Sequence, residues 1–84
     1  MQPKSLGIST LNEEVSIYPN PFQRNIIIKS NEINTLDIYN TLGKLIATHR
    51  IFVGDNMLDL VELPTGIYYF KTRKQSWTKK VIKQ

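Results

Sequence analysis

The 84-residue chain has no cysteine, a single histidine, and no acidic residue beyond Glu62. Without cysteine neither a disulfide framework nor a thiolate metal site is available, so one apolar core must suffice unaided. His49 has no carboxylate beside it in the local sequence, and nucleophilic or acid–base catalysis needs a second and a third positioned group. Ser5, Ser9, Ser16, Ser30 and Ser76 all lie outside a Gly-x-Ser-x-Gly turn. Gly43, Gly54 and Gly66 are isolated, which excludes a phosphate-cradling glycine loop. Asp55, Asn56 and Asp59 lack the ligand spacing of a calcium-binding hand, and Asp55 is expected to form an Asx-type turn instead. The chain is therefore read as non-catalytic, with no cofactor and no metal.

Long apolar runs are also missing. Met1-Gln2-Pro3-Lys4 is followed by polar residues, not by the apolar stretch of roughly 7–15 residues that marks a signal peptide. No segment approaches the roughly 20 apolar residues of a membrane span, so no membrane insertion is expected. Export would depend on a signal supplied upstream, as in a fragment of a longer protein.

What is present is distributed unevenly. The formal charge is +4, but residues 71–84 hold six basic residues and no acidic one, whereas the first 70 hold five basic and seven acidic. Such polarity suits an acidic partner or an anionic surface. It also suits an edge strand whose lysines deter unwanted sheet pairing. Basic residues interleaved with Tyr69, Phe70 and Trp77 resemble a single-strand nucleic-acid reader. Those aromatics fall where a β core needs them, however, and nucleic acid is not the expected partner.

One small domain is expected from this length, with ordinary hydrophobic (40%) and charged (21%) fractions. Residues 1–14 are polar and aperiodic and read as a linker or leader from an upstream protein, with the domain proper spanning 15–84. From Val15 the chain breaks into short apolar runs between turn residues, with no internal repeat and no persuasive helix. Val15–Tyr18 is a strand ended by Pro19, and Pro19 and Pro21 make the exit an edge or a kink. In Asn25–Ser30, Ile26 and Ile28 share one face and Ile27 takes the other. Thr35–Tyr39 sets Leu36 and Ile38 against Asp37 and Tyr39, and these two strands read together as a hairpin that continues into residues 44–53. Asn40-Thr41-Leu42-Gly43 is a turn with glycine at its end. The run 44–53 is one bent or bulged strand whose inward face the pattern leaves open. Gly54-Asp55-Asn56 reads as a turn before a short strand, Met57–Leu60, with Leu58 and Leu60 inward. Residues 61–66 turn the chain again. Ile67–Thr72 is apolar on both faces and belongs mid-structure, and residues 77–82 close the domain. Seven short strands of this kind predict an all-β, immunoglobulin-like antiparallel sandwich.

Five motifs follow one another in this order: Tyr18-Pro19-Asn20-Pro21-Phe22; a strand; Ile38-Tyr39-Asn40 running to Gly43-Lys44; Leu58-Asp59-Leu60 running through Leu63-Pro64-Thr65-Gly66-Ile67-Tyr68; and Thr78-Lys79-Lys80-Val81-Ile82-Lys83. Their order and spacing resemble the type A C-terminal sorting domains of the type IX secretion system of Bacteroidetes-type bacteria, over about residues 15–84. The residues carrying the match are Pro19, Asn20, Pro21, Phe22, Gly43, Lys44, Pro64, Gly66 and Tyr68, with Lys80, Val81 and Lys83 in the terminal strand. Asn40 stands where the family often has Asp, and it can serve the same turn.

The resemblance implies an immunoglobulin-like domain that carries an attached N-terminal cargo. The cargo crosses the inner membrane on its own signal and is recognised in the periplasm by the outer-membrane translocon. A sortase-like cysteine peptidase then removes the domain, here expected between residues 1 and 14 near Gly7 or Ser9, and the cargo is surface-anchored or secreted. Most of the motif is expected to maintain the fold: Pro64 presets a turn, Gly66 permits an unusual backbone angle, and Tyr68 and Phe70 anchor the core. Translocon recognition is expected at Lys79, Lys80, Val81 and Lys83, by edge pairing or by charge docking onto an acidic receptor surface. The alternative is an immunoglobulin-like structural or adhesion module at the end of a cell-surface protein.

Overall fold

Period-two alternation becomes strand wherever the sequence shows it. The computed structural model describes residues 15–74 and 78–84. It contains β1 (Val15–Tyr18), β2 (Asn25–Ser30), β3 (Asn34–Tyr39), β4 (Leu45–Ile51), β5 (Gly54–Asp59), β6 (Gly66–Thr72) and β7 (Thr78–Lys83), and no helix among the described residues. Two sheets form, one ordered β1-β2-β5 and the other β4-β3-β6-β7, with every strand pairing antiparallel. This division of seven strands into three and four is the immunoglobulin-like sandwich expected from the sequence. The expected leader at residues 1–14, with its Gly7 and Ser9, and the expected strand start at Trp77 lie outside the described residues.

The inward positions of both sheets meet in one core. Ile17, Phe22, Ile26, Ile28 and Leu60 face Leu36, Ile38, Ile51, Tyr68, Phe70 and Val81. Ile26 with Ile28, Leu36 with Ile38, and Tyr68 with Phe70 are the pairs the alternation assigns inward, and each pair is buried. Leu58 packs against the same cluster from its rim. Strand β6 lies inside its sheet between β3 and β7, as its apolar character requires. Its second face is only half-covered, with Ile67 exposed and Tyr69 intermediate.

Three local expectations need correction (the β2–β3 hairpin, the Gly54–Asn56 turn and the Asp55 side chain closing it), whereas the bulge expected in residues 44–53 is present. The strands β2 and β3 do not form a hairpin: β2 pairs with β1 and β5, and the 31–33 connection carries the chain across to the other sheet. The hairpin is β3–β4 alone. Its register shifts between Ile38 and Tyr39, so that Ala47 faces Ile38 but Leu45 faces Tyr39. Ile46 is the extra residue of this bulge, and Ile46 and Ala47 both pack against the core. Finally, Gly54-Asp55-Asn56 is the start of β5, and the turn before it is confined to Phe52 and Val53. The side chain that closes this turn is that of Asn56, not Asp55. Asn56 Oδ1 accepts the Phe52 N–H at 2.8 Å, and its amide donates to the carbonyls of Phe52 at 2.9 Å and Ile28 at 3.0 Å. One amide thus ties the turn to β2 in the middle of the sheet.

Candidate functional site

The site is built around β7, the edge strand of the four-stranded sheet. Its alternation sends Lys79, Val81 and Lys83 towards the inner side and Thr78, Lys80 and Ile82 to the outer face. Val81 is wholly buried and Lys83 only 7% exposed, while Lys79, at the start of the strand, and Lys80 stay exposed. The four expected recognition residues are therefore split. Val81 belongs to the same core cluster as Phe22 and Phe70, and Lys83, on the same side of the strand, is buried. Only Lys79 and Lys80 offer charge to solvent, and they do so on opposite sides of the strand.

The motif at residues 18–22 closes on this strand. The peptide bonds Tyr18–Pro19 and Asn20–Pro21 are both cis, and the tight bend carries Asn20 and Phe22 alongside β7. The Phe22 N–H donates to the Ile82 carbonyl at 2.9 Å, and the Gln84 N–H donates to the Phe22 carbonyl at 2.8 Å. Asn20 adds two side-chain bonds: its Oδ1 accepts the Ile82 N–H at 3.0 Å and its amide donates to the Lys80 carbonyl at 3.0 Å. The Phe22 ring is itself buried in the core. The edge of β7 from Lys80 to Gln84 is thus already paired within the molecule. This overturns the expectation of edge pairing by the terminal strand at these residues, because the groups a partner strand would need are taken. An otherwise open strand edge is closed in this way by a short, proline-bounded segment.

The remaining motif residues shape turns. At the β3–β4 turn Asn40 Oδ1 accepts the N–H groups of Leu42 (2.9 Å) and Lys44 (3.0 Å), and its own N–H donates to the Lys44 carbonyl. Gly43 holds a φ of +82°, and a Cβ there would meet no neighbour; the glycine is required by the backbone angle and not by space. Lys44 is exposed and contributes its backbone to this turn. At the β5–β6 connection Gly66, with φ +156°, begins β6, and two residues later the buried Tyr68 hydroxyl donates back to the Pro64 carbonyl. A tyrosine near the start of this strand, bonded to backbone a few residues upstream, is the tyrosine corner of immunoglobulin-like domains. Burial raises the pKa of this phenol above the ordinary value of 10.0. Tyr68→Phe is expected to cost about 1 kcal/mol, the net worth of one such bond, read as a lower midpoint in urea with an unchanged slope.

A polar cluster that the sequence pattern missed lies on the outer face of the same sheet. Asp37 occupies the solvent side of β3 yet is only 6% exposed. Arg73 grips it with Nε at 2.9 Å and Nη2 at 3.1 Å, and the Thr48 hydroxyl donates to it at 2.9 Å. The hydrogen bond from Arg73 is the largest cause holding the Asp37 carboxyl below its ordinary value of 3.8; burial opposes it, and Thr48 and the charges of Arg73 and Lys71 reinforce it. A depressed carboxylate pKa stabilises the fold above the unfolded value, and that contribution is lost as pH falls through the folded one. Asp37→Asn should therefore melt below the parent at pH 7, and the gap should close as the pH is lowered beneath about 3.8. Thermal melts across this range check it. Beside the cluster, Asn34 Oδ1 accepts the N–H groups of Thr35 (2.8 Å) and Lys74 (3.2 Å), fixing the start of β3 to the loop after β6.

Among the described residues no group of three His, Cys, Asp or Glu side chains is placed to hold a metal ion. His49 lines an open cleft with Ile46, Leu60, Leu63 and the carboxylate residues Asp59 and Glu62, and no Ser, Thr or Cys lies in that lining. The surface around β7 carries lysines, tyrosines and hydrogen-bonded turns.

No curated protein matches this chain. The sequence profile of the secretion system C-terminal sorting domain matches residues 16–84, the whole sandwich from the second residue of β1 onward. The clamp that Asn20 and Phe22 form on β7, the Asn40–Gly43 turn, the tyrosine corner and the basic last strand all lie inside that match, and the chain belongs to this family of type IX secretion sorting domains.

Proposed function

We propose that residues 15–84 act as a passive address that directs an N-terminally attached cargo from the periplasm to the type IX outer-membrane translocon, and that a sortase-like cysteine peptidase then cuts within residues 1–14. As a member of the sorting-domain family the chain is a C-terminal secretion signal, associated with type IX machinery and bound for the cell surface or the medium. The finer reading rests above all on one observation. The family motifs near the two ends of the domain meet at a single strand, where Asn20 and Phe22 hold β7 along its edge. The basic residues of β7 are thereby presented on a strand of fixed position, which supports reading them as the address.

In this reading Lys79 and Lys80 carry contact with the receptor, and Val81 and Lys83 keep their strand in place. The contact is charge docking, which sets orientation and encounter rate more than affinity. The test is to fuse residues 1–84 to a reporter carrying its own inner-membrane export signal, in a bacterium with a working type IX system. The reporter should appear at the surface or in the medium, and replacing both Lys79 and Lys80 by serine should strand it in the periplasm while the domain still folds. A wild-type fusion that remains periplasmic would instead favour a structural or adhesion module.

A further inference from the structure

The outer face of the four-stranded sheet carries a groove, and the outward side chain of Lys80 stands beside it. Cross-strand register aligns Leu45, Tyr39, Tyr69 and Lys80 in one row and Thr48, Asp37, Lys71 and Thr78 in the next. The two tyrosines are directly opposed and half-buried, with the Lys71 Nζ 5.7 Å from the Tyr39 ring centroid. They floor an open groove of about 410 Å³, closed at one end by the Asn40–Gly43 turn and bounded by Lys71 and Thr78. Asp37, the acidic residue in these two rows, is committed to Arg73 and Thr48. No ion pair is formed by Lys71 or Lys80 among the described residues. Two cations thus flank an aromatic floor whose own carboxylate is already engaged.

Elimination points to the same face. The inner side of β7 is core, and its edge from Lys80 to Gln84 is closed by Asn20 and Phe22. What β7 leaves for a partner over most of its length is its outer face, where Lys80 stands beside Tyr69. We propose that this groove docks an acidic protein segment, in which carboxylates meet Lys71 and Lys80 and an apolar side chain between them lies on Tyr39 and Tyr69. Opposite charge steers and orients such a segment, and the tyrosine rings supply contact area at low entropic cost. Two opposed tyrosines flanked by cations fit a peptide that places an apolar side chain between carboxylates. The inference rests on the sorting reading and assigns its receptor contact.

The test is to record amide spectra of the isotope-labelled 84-residue chain during titration with a twelve-residue peptide of glutamates around a central phenylalanine. Its glutamine counterpart and anionic phosphatidylglycerol vesicles run in parallel. Expected are saturable shifts at Tyr39, Tyr69, Lys71, Thr78 and Lys80 with the acidic peptide alone, and at least tenfold weaker binding after Lys71→Glu. Lys29→Glu, on the opposite sheet, should bind as the parent does. Equal shifts at Lys29, Lys44 and Lys74, equal binding of the glutamine peptide, binding to vesicles alone, or no saturable binding would overturn the proposal. In the export assay above, Lys71→Glu should retain the reporter in the periplasm. If the parent and Lys71→Glu fusions are exported equally, this docking face is wrong and the sorting reading stands; if the parent fusion itself is not exported, the sorting reading fails whatever the spectra show. The titration of the unaltered chain needs no variant to fold.

Discussion

Deleting residues 79–84 should unfold the domain outright. The cut removes the buried Val81 and Lys83 and most of the β6–β7 ladder, and it exposes Phe22, Tyr68 and Phe70. Each large apolar side chain returned to water costs about 1.5–3 kcal/mol, and a domain of this size holds only about 5–15 kcal/mol in total. The expected result is a circular dichroism spectrum without sheet signal and no cooperative melt. A truncate with a parent-like melt would show that β7 is an appendage and not part of the core. The consequence for secretion experiments is direct. Loss of export after truncation would report unfolding, so the role of the last strand as a message has to be tested by exchanging Lys79 or Lys80 with the backbone kept whole.

The second large effect is expected at the other end of the chain. Phe22→Ala empties a site that is 1% exposed and should cost about 3–5 kcal/mol, the range for truncating a buried phenylalanine. The loss should not stay local, because the backbone of the same residue bonds both Ile82 and Gln84. Hydrogen exchange should therefore rise at the amides of Phe22 and Gln84, which carry these two bonds, more than at those of β2 and β5 in the opposite sheet. Asn20→Ala separates the two contributions: it keeps the ring and removes only the side-chain bonds to Lys80 and Ile82. Its expected cost is about 1–3 kcal/mol, since the Ile82 N–H and the Lys80 carbonyl lose their partner. A stability change for Phe22→Ala no larger than that for Asn20→Ala would mean the ring is not the anchor.

The contrast between these residues explains which parts of the structure could be read from sequence. Ile26 and Ile28, Leu36 and Ile38, and Tyr68 and Phe70 announce their faces by alternation within a few residues, and all six are buried. The order of the family motifs was equally legible and marked the domain as a sorting signal. What alternation cannot carry is which strand lies beside which. Ile28 and Leu36 look like neighbours across a short turn, but pairing is decided by partners far along the chain, and β2 takes β5 instead of β3. Asp37 falls on the solvent side of its strand and reads as exposed, because Arg73, which covers it, is 36 residues away. Lys83 reads as surface charge for a similar reason: nothing local shows that Phe22 will bridge to it. Asn56 reads as a turn residue, which is half of its role, since its bond to the Ile28 carbonyl spans 28 residues. The candidate site suffered most, because two of its four residues, Val81 and Lys83, are buried, and the groove beside Lys80 is assembled from β3, β6 and β7.

The clamp also sets the order in which the molecule can come into being. Asn20 and the strand it holds are separated by 60 and 62 residues, nearly the full length of the described domain. Contacts of such separation must be preceded by closing a long loop, and folds dominated by them assemble in milliseconds to seconds, where local structure needs microseconds. A chain synthesised from its N-terminus contains Phe22 well before β7, and the sandwich cannot close until β7 is present. Anything attached ahead of residue 15 thus has a head start in folding over the domain that follows it, and the finished clamp is a record that the chain has come through to its last strand.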